Sequence, residues 1–88
     1  MTHNLTTVYN FCQKYKLAHP IFNIEKINDT FSCTIKVGEL SVNVTDKDSI
    51  DNAIDECLYA LVDCLHTSNR CVLIAIGNYK ESEDTIMN

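Results

Sequence analysis

Apolar residues recur at Leu5, Val8, Cys12 and Tyr15 with the three-to-four-residue interval of a helix. The helix is bounded near Leu17, because Pro20 lacks an amide proton and restricts His19. The period then shortens to two. Phe22 and Ile24 alternate with Asn23 and Glu25, and after a turn at Asn28-Asp29 the residues Phe31, Cys33, Ile35 and Val37 alternate with Ser32, Thr34 and Lys36. Gly38-Glu39 suits a tight hairpin with glycine supplying positive φ, and Leu40, Val42 and Val44 alternate with Ser41, Asn43 and Thr45 beyond it. Successive strand residues point to opposite faces, so one side of this sheet is apolar and the other carries Ser, Thr, Asn and Lys. The period lengthens again at Ile50, Ala53, Ile54, Cys57, Leu58, Leu61, Cys64 and Leu65, a broad apolar stripe on a second helix that Thr45, Asp46 or Asp48 would cap.

These elements predict an α+β fold of order α-β-β-β-α, with two layers and a three-stranded antiparallel sheet covered on one face by both helices. The unit spans residues 4–66. An extension over 67–80 follows, in which the compact apolar run Cys71-Val72-Leu73-Ile74-Ala75-Ile76 reads as an extra C-terminal strand over 71–76, closed by Gly77-Asn78. Residues 81–88 form an acidic, polar tail.

Composition narrows the function. Eighty-eight residues, 45% of them hydrophobic, support one modest core. Seven Lys and Arg against 12 Asp and Glu give a net charge of -5, which opposes binding to a phosphate backbone unless a local basic patch overrides it. The five cysteines are Cys12, Cys33, Cys57, Cys64 and Cys71, the first four on apolar faces, and they read as reduced thiols in an intracellular protein, cytoplasmic or nuclear. The N-terminus lacks the basic start and apolar run of a signal peptide, and no stretch approaches a membrane span. Cys57, Cys64, His66 and Cys71 follow no common zinc spacing and the cysteines read as core or surface thiols, so no metal and no cofactor is expected. Without a phosphate-binding glycine loop, serine elbow or paired-acid motif, an enzyme is not expected either.

The segment Val8-Tyr9-Asn10-Phe11-Cys12-Gln13-Lys14-Tyr15-Lys16-Leu17, with Pro20-Ile21-Phe22-Asn23-Ile24, resembles the first helix and first strand of double-stranded RNA-binding domains. Phe31-Ser32-Cys33-Thr34-Ile35-Lys36-Val37-Gly38 is similar to that family's second strand, and the run from Ala53 through Leu61 to its last helix. The likeness covers about two thirds of the chain and rests on core positions and element lengths. It implies duplex recognition by shape and phosphate through the first helix, a loop between the first two strands, and lysines opening the last helix. This chain departs from that pattern in the loop, Ile27-Asn28-Asp29-Thr30, which is short and carries an acid. It departs again at Asp46-Lys47-Asp48-Ser49-Ile50, where a Lys-Lys-x-Ala-Lys pattern would stand and only Lys47 is basic. Asp46, Asp48 and Asp51 would repel a duplex there.

The resemblance therefore points to a degenerate member acting as a non-catalytic module for protein association. The partner would be a second copy or a component of an RNA-processing, RNA-silencing or viral system. The expected contact residues are Leu40, Val42 and Val44 on the third strand, together with Val72, Leu73, Ile74 and Ile76. The third strand lies at a sheet edge without proline or lysine over 40–44, so it is open to strand addition unless the 71–76 run covers it. The alternative function is weak duplex RNA binding through Asn10, Lys14, Lys16 and Lys47.

Overall fold

The computed structural model describes residues 2–77. The order is α1 (Thr2–Lys14), β1 (Ile21–Ile27), β2 (Thr30–Val37), β3 (Leu40–Lys47), α2 (Ile50–Thr67) and α3 (Asn69–Ala75). The sheet is antiparallel in the order β1-β2-β3, so β1 and β3 are both edges. The α-β-β-β-α order is as the hydrophobic periods predict.

The expected strand over 71–76 is corrected: residues 71–75 lie in helix α3 and Ile76 is its C-terminal cap. Ser68 ends α2, and its hydroxyl oxygen then accepts from the Cys71 amide at 3.4 Å, opening α3 within the same turn. A capped amide favours helix over strand, and the β-branched Val72 and Ile74 only weakly oppose it. Cys64 and Cys71 form a disulfide that joins the two helices across this junction, which corrects the reading of five reduced thiols. Their Cα atoms are 6.1 Å apart, inside the ordinary range for such a bridge.

Turn chemistry fixes the register. Ile27 faces Thr30 across Asn28-Asp29, with Asn28 at φ 58, and Val37 faces Leu40 across Gly38-Glu39, with Gly38 at φ 58. Helix α1 ends in a left-handed cap at Lys16, φ 56: the Leu17 amide donates to Cys12 O at 2.8 Å and the Lys16 amide to Gln13 O at 3.2 Å. The cap of α2 is Ser49, not Thr45, Asp46 or Asp48; its hydroxyl oxygen accepts from the Asn52 amide at 3.1 Å.

The core lies between the helices and one face of the sheet. Val8 and Cys12 from α1, Cys33, Ile35 and Val37 from β2, Leu40 from β3, and Ala53, Cys57, Leu58 and Leu61 from α2 are buried together. Helix α2 lies across β2 and β3. Burying a side chain such as Leu58 or Leu61 fully contributes about 1.5–3 kcal/mol, so the α2 stripe is a main stabilising element.

Two backbone positions separate glycine's role from lysine's. A Cβ on Gly38 would collide with the Ala75 carbonyl oxygen, so Gly38→Ala is expected to destabilise by more than the ~1 kcal/mol of the positive-φ penalty alone. Lys16→Gly is expected to stabilise by up to ~1 kcal/mol by relieving the same penalty. Urea unfolding of the two variants beside the wild type measures both shifts.

Candidate interaction surface

Strand β3 turns its apolar side chains inward. Leu40 is buried and Val42 and Val44 are half-buried against the core, so these side chains are committed to the chain's own fold. What β3 offers outward is backbone, and that edge is interrupted. Asp46 adopts φ 61 and the register slips between Phe31 and Cys33: Phe31 faces Lys47 while Cys33 faces Val44. Thr45 and Asp46 thus share the place opposite Ser32, which is a β-bulge. One extra residue moves Lys47 onto the helix-facing side, where its ammonium meets Glu56 of α2 at 2.8 Å. The pair is partly solvated and contributes at most about 1 kcal/mol, but it directs the lone cation of this segment toward α2.

The second expected contact segment packs largely on its own domain. Ala75 is buried, Cys71 and Ile74 lie against the core, and the Glu39 amide donates to Ala75 O at 3.2 Å, fastening the end of α3 to the β2–β3 turn. Val72 and Ile76 are half-buried, and only Leu73 of this group is exposed, at 39%. Leu73 therefore stands alone as an outward apolar residue of α3.

Sequence periodicity missed the other edge. Among the described residues nothing covers β1 along most of its length: Phe22 is half-buried and residues 23–27 are exposed. Ile21 is 61% exposed, Ile27 53% and Ile24 37%. Ile24 shares the helix-facing side with Phe22, whereas Ile21 and Ile27 lie on the opposite side, where a polar face was expected. The available signal was isoleucine at Ile21 and Ile27, out of phase with the core residues. An edge strand with exposed apolar side chains on both faces invites strand addition, opposed here only by the charges of Glu25 and Lys26, and the Lys26 ammonium sits 5.9 Å from the Phe31 ring.

The residues expected for duplex RNA are scattered in environment. Asn10 and Lys14 are exposed on α1, with the Lys14 ammonium 5.5 Å from the Tyr15 ring; Lys16 forms the α1 cap, and Lys47 is paired with Glu56. The β1–β2 connection is a two-residue turn, too short to extend from the sheet. Asp46, Asp48 and Asp51 are all exposed around the start of α2.

The remaining cysteines are buried. The Cys57 thiol lies 3.2 Å from Val42 O and 3.4 Å from Cys33 O, so it donates to the sheet backbone from the middle of α2. Burial, with the neighbouring Cys33 thiol adding to it, pushes Cys57 up to about 12. Burial also raises Cys12 and Cys33. Among the described residues no group of His, Cys, Asp or Glu is arranged to hold a metal ion, and no helix is long and apolar enough to cross a membrane.

No family model matches the chain, and no curated protein or solved structure matches it.

The thiols generate a pH prediction. Cys57 ionises near 9 once unfolded but near 12 when folded, so the unfolded state loses its proton first. Its stabilising effect is complete below pH 9 and is lost as pH rises toward 12, with a slope of up to ~1.4 kcal/mol per pH unit from this thiol. Denaturant titrations at pH 8 to 10.5 are expected to show a steeper decline for the wild type than for Cys57→Ala, which is less stable at pH 8 but lacks that ionisation.

Proposed function

We propose that this chain is a non-catalytic protein-association module, serving homodimerisation or docking to an adaptor, built on a degenerate fold resembling double-stranded RNA-binding domains. The observation that carries the reading is β1: a sheet edge that no helix covers along most of its length and that presents Ile21, Ile24 and Ile27 to solvent. An exposed apolar edge favours a protein partner, because strand addition satisfies its backbone groups while removing those side chains from water. The resemblance suggests an RNA-processing, RNA-silencing or viral setting.

Electrostatics supports protein over duplex RNA. The chain carries -5 overall, the start of α2 is acidic, and Lys47 is already held by Glu56. Each phosphate contact on B-form DNA contributes about 0.9 to the salt slope, so a site without clustered lysines lacks the principal source of nucleic-acid affinity.

Light scattering on a size-exclusion column, with and without a duplex RNA of about 20 base pairs, tests this reading, since one such domain usually spans roughly 16. The expected result is an elution and mass unchanged by RNA at low salt, in both the wild type and Lys47→Glu. Salt-sensitive co-migration with the duplex, abolished by Lys47→Glu, would reverse the assignment in favour of RNA binding through Asn10, Lys14 and Lys47.

A further inference from the structure

Resting on that association reading, we infer that the partner of β1 is β1 of a second copy of this chain, paired antiparallel about Ile24 to join two three-stranded sheets into one.

The spacing of the exposed isoleucines carries the argument. Ile21 and Ile27 stand equally far from Ile24, so an antiparallel pairing centred on Ile24 sets Ile24 against Ile24, and Ile21 against Ile27, across the two copies. A two-fold contact requires such self-complementarity, because each residue that meets another must be met by it in return. A foreign strand would face no such requirement. In the same register Glu25 faces Asn23 of the second copy and Lys26 faces Phe22, so no like charges are placed directly opposite.

Backbone geometry agrees with this register. Ile27 and Thr30 flank a two-residue turn and form a hydrogen-bonded pair, and in an antiparallel ladder such pairs alternate with non-bonded ones. The amides and carbonyls of Asn23 and Glu25 therefore face β2, while those of Phe22, Ile24 and Lys26 face outward. Centring on Ile24 pairs outward groups with outward groups: Ile24 with Ile24, and Phe22 with Lys26. A register centred between two residues would oppose outward groups to inward ones, and among the registers centred on a residue it is the isoleucine spacing that selects Ile24.

The placement of α2 and the form of β3 favour this contact over its rival. Positions summing to an even number lie on one face, so the two-fold axis stands perpendicular to the sheet and both helical layers fall on the same side. Helix α2 lies across β2 and β3 rather than β1, which keeps the two copies of that helix apart. The other edge, β3, is bent by the Asp46 bulge, and its hairpin end is fastened to α3 by the bond from the Glu39 amide to Ala75 O.

Sedimentation velocity and light scattering over a range of protein concentration, with circular dichroism to confirm folding, test the pairing. The wild type is expected to form a dimer, and Ile24→Lys, which opposes two ammonium groups at the centre, to be a folded monomer. Asn23→Lys places a cation opposite Glu25 of the second copy, twice per dimer, and is expected to lower the dissociation constant roughly fivefold. Leu73→Lys, on α3, is expected to leave the dimer unchanged. A wild type that stays monomeric at the highest concentration, without binding RNA, would overturn self-pairing but leave association with another protein standing. A dimer that survives Ile24→Lys and is abolished by Leu73→Lys would overturn the β1 assignment alone. Co-migration of the monomer with duplex RNA would overturn both readings.

Discussion

The seating of α2 on β2 and β3 is the constraint on which the other elements depend. Ala53, Cys57, Leu58 and Leu61 form its buried stripe, and Cys33, Ile35 and Val37 form the facing strand. Cys57 stands at the middle of the contact, where its thiol reaches carbonyls of two adjacent strands, Cys33 and Val42. A small thiol allows close approach of helix to sheet, and its proton finds an acceptor there, so the site avoids the penalty of an unsatisfied donor. Both ends of α2 are fixed by serine: Ser49 caps its start, and Ser68 ends it while beginning α3.

From that seam the consequences pass outward to the two sheet edges. Because α2 lies over β2 and β3, the inward side chains of β3 are used within the fold, and the Asp46 bulge turns Lys47 toward Glu56. Helix α3 is tied to α2 through the Cys64–Cys71 disulfide and to the β2–β3 turn through Ala75. Three devices thus converge on the β3 side of the molecule. The β1 side receives none of them among the described residues, and its isoleucines remain in solvent. The asymmetry between the edges supports assigning association to β1.

Much of this architecture was legible from periodicity. The alternation of Phe31, Cys33, Ile35 and Val37, the glycine turn at Gly38 and the long stripe of α2 each specify one element, and local preference agrees with the fold. The extra helix was not legible. Six apolar residues from Cys71 to Ile76 suit a short strand or a short helix equally, and the helical choice is held by the Ser68 cap, whose hydroxyl and carbonyl oxygens accept from the Cys71 and Val72 amides, and by the Cys64–Cys71 disulfide. The Cys64–Cys71 pairing was hidden for the same reason: a strand over 71–76 would not place Cys71 back on the last turn of α2. The bulge at Asp46 was equally hidden, since Thr45-Asp46-Lys47 continues the polar end of a strand without a break in composition. Without the bulge, Lys47 would lie on the opposite face, away from Glu56. The exposure of β1 was not legible because sequence identifies which residues of a strand are apolar, but not which edge the helices leave uncovered.

Hydrogen exchange at individual amides, recorded at low and high protein concentration, tests the central claim most directly: that β1 is the open edge and is closed by a second copy. The account predicts that the outward amides of Phe22, Ile24 and Lys26 become protected as concentration rises, while those of Ser41 and Asn43 on β3 keep their exchange rates. Protection that grows at Ser41 and Asn43, with Phe22, Ile24 and Lys26 unchanged, would contradict it and place the contact on β3.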